Sequence, residues 1–136
     1  MSEIDRLGSK RTRRTVIWCG YWIAIFVLMH RPLGELGRPP FLWADKVVHF
    51  ALYFGLTWLG AWRLRTYPGR LTRPSLFLWA GVFAAYGGID EWLQSYVGRT
   101  MSLFDWFADV AGVATASLVI GLSKRPEKPQ EPPVRR

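Results

Sequence analysis

The stretch that decides the fold is YGGIDEWLQSYVGRTMSLFDWFADVAG, residues 86–112. It joins two apolar runs, yet it carries several charged or strongly polar side chains: Asp90, Glu91, Gln94, Arg99, Asp105 and Asp109. Such groups are costly in apolar surroundings unless they are paired or hydrogen-bonded. The stretch therefore predicts two apolar helices that meet at one end, where their polar groups collect.

Four apolar runs are found along the whole chain, at 16–29, 47–62, 76–89 and 103–122. A membrane-crossing helix needs about 20 mostly apolar residues, so the first three runs must borrow flanking residues or thin the bilayer slightly. The run 16–29 contains no charged residue and so lacks the polar face that a soluble bundle requires. We predict an all-α protein, an integral membrane bundle of four transmembrane helices, with a soluble four-helix bundle as the alternative.

Two further features of the runs support this prediction. The first run ends without a small-residue cleavage site, so it is expected to be a retained span and not a cleaved signal peptide. The last run places Ala108, Gly112 and Ala116 four residues apart, which is typical of close helix packing in membranes.

Basic residues lie in blocks between the apolar runs of this 136-residue chain, whose formal net charge is +8. This distribution argues against a nucleic-acid partner, since such proteins carry basic residues on an otherwise soluble domain. Three segments, 1–14, 63–75 and 124–136, hold 14 of the 18 Lys and Arg residues. Cytoplasmic loops are the basic ones in membrane proteins, so both termini are predicted to be cytoplasmic.

The sequence thus divides into three parts. Residues 1–14 are predicted to form a basic cytoplasmic N-terminus, residues 15–123 the four-helix transmembrane domain, and residues 124–136 a Pro-rich tail that is disordered because it has little apolar content. The single cysteine, Cys19, and only two histidines exclude an internal disulfide and a zinc-finger site. The expected location is the bacterial cytoplasmic membrane, as a multi-pass protein in contact with the lipid bilayer.

Three pairs of polar residues lie at the predicted outer ends of helices 2, 3 and 4. They are Asp45 with His49, Asp90 with Gln94, and Asp105 with Asp109. Within each pair the residues are four apart, on one helix face, and ionisable residues in spans normally face the bundle interior or a wet cavity. We therefore predict an outward-facing polar pocket between these helices. Its candidate residues are Asp45, His49, Asp90, Glu91, Gln94, Arg99, Ser102, Asp105 and Asp109.

Structural roles remain open for several of these residues. Asp45 is a candidate N-cap of helix 2, and the pattern S-x-x-D from Ser102 resembles a capping box at the start of helix 4. Lys46 and Arg99 are candidates to neutralise nearby carboxylates in an ion-pair network that fixes helix packing.

Two predictions concern the remaining groups. His49 is expected to hydrogen-bond Asp90 or Asp109, because an unpaired polar group within apolar sequence is costly. Glu91 lies about 100° around the helix from Asp90, so it is expected to face solvent or a lipid headgroup.

Three motifs in order carry a resemblance to a known family: DKVVHFALYF (45–54), YGGIDEWLQ (86–94) and GRTMSLFDWFADVAG (98–112). With this hydropathy pattern the chain resembles the VanZ-like membrane proteins, named for a teicoplanin-resistance protein. Asp109 departs from the family, which often has Asn there. The resemblance implies a four-span membrane protein and a link to lower sensitivity to a lipoglycopeptide, with no agreed reaction.

We therefore expect an envelope-associated binding or glycopeptide-tolerance role, with a lipid-linked envelope precursor or a lipoglycopeptide as the ligand. Arg99 and Lys46 would meet its anionic part, and a rim of Trp43, Trp92 and Trp106 would lie at the membrane interface.

Two alternatives belong to other classes. One is a membrane-embedded enzyme that uses His49 with carboxylates for acid–base chemistry, or Mg²⁺ or Mn²⁺ held by oxygen ligands. The other is a proton- or ion-coupled transporter. No cofactor is expected beyond such a divalent metal, and the sequence leaves the oligomeric state open.

Overall fold

The computed structural model describes residues 3–31 and 43–123, which form four α-helices. They are α1 (Glu3–Met29), α2 (Ala44–Leu64), α3 (Arg73–Gln94) and α4 (Leu103–Leu122), and a single 3-10 turn, Ser95–Val97, follows α3. The all-α class is confirmed for the described residues. Residues 3–14 are the first turns of α1, and the tail 124–136, which was predicted to be disordered, lies outside the described residues.

The helix ends follow from local sequence. Thr72 caps α3 through a capping box with Ser75, and Ser102 caps α4 by accepting a hydrogen bond of 3.3 Å from the backbone N–H of Asp105. The capping role predicted for Ser102 is confirmed. Gly98, with φ of 78°, supplies the left-handed residue that lets the chain turn from α3 into α4.

The N-cap role predicted for Asp45 is wrong. Helix α2 starts at Ala44, so Trp43 occupies the cap position and makes no side-chain cap. Asp45 lies inside the first helical turn, where its carboxylate still suits the positive end of the helix dipole.

The closest helix contact joins α2 and α4. Gly112 is buried against α2, and a Cβ atom at this position would collide with the backbone carbonyl of Phe50. Ala116, one turn further, is fully buried. The small-residue spacing along α4 therefore marks a helix contact, as predicted.

Aromatic side chains fill the middle of the bundle. The rings of Trp18 and Trp79 meet edge to face at 5.9 Å between centroids, and those of Trp22 and Phe83 at 5.5 Å. Tyr53 belongs to the same buried cluster. These contacts hold α1 against α3, and Tyr53 adds α2 to the same core.

Large apolar side chains also remain exposed on the outside of every helix. Seven examples, all 55–79% exposed, are Val16, Ile23, Val47, Phe77, Leu78, Phe104 and Leu118. Within the described part of the chain, one helix, α4, is long and apolar enough by length and composition to cross a membrane.

Candidate functional site

The polar candidates predicted from the sequence gather at one end of the bundle, where α1 and α3 finish and α2 and α4 begin. His49, Asp90 and Asp109 are fully buried, and Gln94 is 1% exposed. We call the whole group the polar cluster. Its members are Asp45, His49, Asp90, Glu91, Gln94, Arg99, Ser102, Asp105 and Asp109, together with Lys46.

The centre of the polar cluster is a histidine between two carboxylates. His49 Nδ1 lies 2.9 Å from Asp109 Oδ1 and 3.7 Å from Glu91 Oε1. Of the two partners expected for His49, the structure therefore selects Asp109. The three residues come from three different helices, so this contact ties α2, α3 and α4 together.

Asp90 has its own partners. Its Oδ2 accepts a hydrogen bond of 3.2 Å from the Gln94 side chain, and its Oδ1 lies 3.5 Å from the Tyr86 hydroxyl. His30, just after α1, places Nδ1 3.7 Å from the same Oδ1. Asp90 is thus held by α3 itself and by the end of α1.

The prediction that Glu91 faces solvent or a headgroup is wrong, because Glu91 is only 2% exposed. Its Oε2 accepts a hydrogen bond of 3.0 Å from the backbone N–H of Ser102. The end of α1 lies on the Asp90 side of the last turn of α3, and α2 and α4 lie on the Glu91 side, so both neighbouring residues are buried. The angle of about 100° between Asp90 and Glu91 does not reveal that other helices also pack against the Glu91 side of α3.

Two cations and two carboxylates close the outer side of the cluster. Lys46 Nζ lies 2.5 Å from Asp105 and 3.7 Å from Asp45. Arg99 reaches Asp45 at 3.5 Å and donates to the backbone carbonyl of Met29 at 3.1 Å. The predicted neutralising role of Lys46 and Arg99 is confirmed, and both cations are engaged with protein groups.

Three residues that sequence reasoning missed also belong to this region: His30, Tyr53 and Tyr86. His30 follows the first apolar run at the same depth as the other polar groups, and this position is the signal that would have found it. Both tyrosines lie one turn deeper, with ring centroids 6.0 Å apart, and their sequence context resembles that of any core aromatic.

Several buried polar atoms in this region have no hydrogen-bond partner among the described residues. They are His49 Nε2, His30 Nε2, Asp109 Oδ2 and the Tyr53 hydroxyl. In addition, two sets of side chains bring one ligand atom each to within 4.8 Å of the others: His49, Glu91 and Asp109, and Asp45, His49 and Asp105. The arrangement can exchange protons or hold a cation.

Exposed aromatic residues lie at the same end of the bundle as the polar cluster. Trp43 is 64% exposed and Trp92 54%, while Tyr96 packs edge to face on Trp92. Trp106 differs from the predicted rim, since its ring N–H donates to the carbonyl of Ala84 at 2.9 Å between α4 and α3. The rim therefore contains two of the three predicted tryptophans.

Comparison with known proteins gives one relative. Over 101 residues the chain is 34% identical to an uncharacterized protein of Schizosaccharomyces pombe, with 71% of this chain and 60% of the relative covered. The chain thus spans less than two thirds of the length of that relative. No family model and no solved structure matches the chain, so the VanZ-like resemblance stays a prediction.

Proposed function

We propose that the chain is a multi-pass membrane protein whose four helices all span the bilayer, with the polar cluster at the extracytoplasmic end and both termini in the cytoplasm. The distribution of polar and apolar side chains supports this proposal, because it is the reverse of that in a soluble protein. Charged side chains such as Asp109 are fully buried, while Phe77 and Leu122 are 79% and 85% exposed. Contiguous exposed apolar surface marks a membrane or protein contact.

Helix α4 alone meets the length and composition of a membrane span. The other three helices contain more Trp and Tyr residues than α4. These side chains are less apolar than Leu or Val, but they are favoured at membrane interfaces. Their arginines also lie at the end opposite the polar cluster. There Arg14 donates to the carbonyl of Trp62 at 2.7 Å and Arg63 donates to Thr15 at 3.1 Å. Basic residues gathered at one end support a cytoplasmic location for that end.

A labelling experiment tests this topology. In a Cys19→Ser background, Thr100→Cys lies at the polar end and Arg70→Cys at the opposite end. In intact cells, a membrane-impermeant maleimide should label Thr100→Cys and leave Arg70→Cys unlabelled until the cells are opened. Equal labelling of both in intact cells contradicts the proposed orientation.

Within this membrane frame, the function we propose is binding of an amphiphile, with its headgroup at the polar cluster and its apolar part along the rim. The observation that carries the proposal is the convergence of buried polar residues from three helices beneath exposed Trp43 and Trp92. Aromatic rims suit ligands with one wet and one apolar end. A lipid-linked envelope precursor and a lipoglycopeptide both have this chemistry.

The role of the two cations differs from the original expectation. Lys46 and Arg99 already contact Asp105 and Asp45, so an anionic headgroup must compete with these carboxylates.

A related sequence occurs in a eukaryote, so the ligand is proposed by its chemistry and not as a bacterial compound. Location in a bacterial cytoplasmic membrane and a glycopeptide-tolerance role remain predictions.

Native mass spectrometry of the purified protein tests ligand binding. An isoprenyl diphosphate and teicoplanin are the probes, and phosphatidylcholine is the reference lipid. Retention of either probe should weaken in Trp92→Ala, which alters the rim, and persist in Trp58→Ala, whose ring is 39% exposed on the middle of α2. Equal retention of the two probes and phosphatidylcholine, or equal loss of probe binding in both variants, contradicts the proposal.

Teicoplanin susceptibility of a Gram-positive host tests the tolerance role directly. Expression of the wild type should lower susceptibility, and Asp90→Asn should abolish the effect at equal membrane abundance. If the wild type changes nothing, the implication of the VanZ-like resemblance fails for this chain.

An enzymatic role is the second candidate, and one observation favours it. The 2.9 Å contact of His49 with Asp109 is the arrangement in which a carboxylate orients a general base. Recovery of a chemically altered isoprenyl diphosphate after incubation, abolished by His49→Gln, distinguishes this role from binding.

A further inference from the structure

The centre of the polar cluster has the composition of a metal site. His49, Glu91 and Asp109 each offer one ligand atom, and these atoms all lie within 4.8 Å of one another. Their side chains are 0–3% exposed. One nitrogen and two carboxylate oxygens are typical ligands of first-row divalent metals.

The distances between these atoms fit a shared ion. Ligand atoms about 2.0–2.2 Å from a metal, at angles between octahedral and tetrahedral, lie about 3–3.5 Å apart. His49 Nδ1 lies 2.9 Å from Asp109 Oδ1 and 3.7 Å from Glu91 Oε1. These two distances bracket that range, so α2, α3 and α4 hold the three side chains close to a suitable spacing.

An independent observation is that the site contains buried polar atoms without partners. Asp109 Oδ2 and His49 Nε2 make no hydrogen bond within the described residues, and both side chains are fully buried. Leaving such an atom unpaired costs roughly 1–3 kcal/mol. A metal bound by both oxygens of Asp109 would supply the missing partner of Oδ2.

Gly87 lets α3 pack closely against Asp109. A Cβ atom at this position would lie 3.1 Å from Asp109 Oδ2 and 3.4 Å from the ring of Tyr53. The absence of a side chain at Gly87 therefore allows the Asp109 carboxylate to lie inside the bundle, against α3.

The charge balance points to a cation. Lys46 and Arg99 pair with Asp105 and Asp45, while the described residues give Glu91 and Asp109 no Lys or Arg partner. Buried charges are normally paired or bound to metals. A dication between these two carboxylates and a neutral histidine would make the centre neutral.

We propose that His49, Glu91 and Asp109 bind one divalent first-row transition metal, of the Zn²⁺ or Mn²⁺ type. Mg²⁺ and Ca²⁺ are less suited because they prefer sites made of oxygen ligands alone. The second set around His49 is disfavoured, since Asp45 and Asp105 already contact cations. The proposal goes beyond amphiphile binding and does not depend on it.

The test uses the full chain, purified in mild detergent, stripped with a chelator and titrated without any amphiphile. Zn²⁺ and Mn²⁺ are the metals counted by mass spectrometry, and Co²⁺ is the spectroscopic probe. We expect one metal per chain and visible Co²⁺ absorption bands typical of a nitrogen–oxygen site. Failure of the wild type to bind stoichiometric metal overturns the proposal and leaves amphiphile binding untouched.

Asp109→Asn and His49→Gln test the ligands, and Thr57→Val is the matched control because Thr57 is buried on α2, the helix of His49, yet outside both ligand sets. The first two should weaken binding by more than the roughly 10–100-fold that loss of an outer-shell partner costs. Thr57→Val should bind metal like the wild type. Circular dichroism checks that each variant folds, and if one ligand variant does not fold, the other decides. Equal binding by ligand variants and control overturns the assignment.

Discussion

The two ends of the bundle interior are held together by different kinds of contact. At the polar end, His49 and Asp109 meet through a hydrogen bond of 2.9 Å and are fully buried. Toward the opposite end, Trp18 and Phe83 pack with ring centroids 6.5 Å apart, and Arg63 stacks over Trp18 at 5.1 Å. A narrow crevice there is lined mainly by apolar side chains.

This difference predicts how each end responds to substitution. A buried hydrogen-bonded pair is directional, so removal of one partner leaves the other unsatisfied and costs more than the pair contributed. An apolar contact loses only packing and leaves a cavity whose size sets the cost. The following changes test this contrast, beginning with the largest effect.

Asp109→Ala should lower the free energy of unfolding by about 3–5 kcal/mol, because it leaves His49 buried without its partner. Unfolding in mild detergent, followed by tryptophan fluorescence with a chelator present, measures the change. The double variant His49→Ala with Asp109→Ala should cost less than the two single changes together. Additive losses would mean that the two residues do not act as a pair.

Phe83→Ala, in the aromatic core, should lower the free energy of unfolding by about 3 kcal/mol, through the cavity it leaves. Phe77→Ala on the same helix is the matched control, because Phe83 is 1% and Phe77 79% exposed. The control should change stability little in the same assay. A similar loss in both variants would contradict the packing assigned to α3.

Gly112→Ala should cost about 2 kcal/mol, because the added methyl group must push α2 and α4 apart. Gly121→Ala is the control on the same helix, since nothing lies within 4 Å of a Cβ atom there. Thermal unfolding of both variants by circular dichroism compares them. If Gly112→Ala is neutral, the α2–α4 contact is looser than the structure shows.

Lys46→Met should have the smallest effect, at most about 1 kcal/mol, because its pair with Asp105 lies at the outer side of the cluster. The lysine side chain is 26% exposed, so the pair should weaken further as salt is added. A double-mutant cycle with Asp105→Asn at low and high salt measures this. A large coupling that salt leaves unchanged would place the pair with the buried centre of the cluster.

Sequence reasoning succeeded where a signal lies within one helix. Ser102 precedes an acidic residue at capping-box spacing and caps α4, and Gly112 belongs to a small-residue repeat and lies in a helix contact. It failed for Asp45, since the helix begins earlier than expected and its N-cap is Trp43, two residues before Asp45. It also failed for Glu91, whose burial depends on two neighbouring helices that the sequence of α3 does not describe.

The sequence by itself determined the all-helical class, the four apolar segments and the end of the bundle at which polar groups collect. These features follow from the composition and periodicity of each segment, and both can be read from that segment alone. Only the tertiary structure decided that His49 pairs with Asp109 and not Asp90, that Glu91 turns inward, and that His30 joins the cluster. Those choices depend on helix rotation and on the distance between helices, and both are set by packing between residues far apart in the chain.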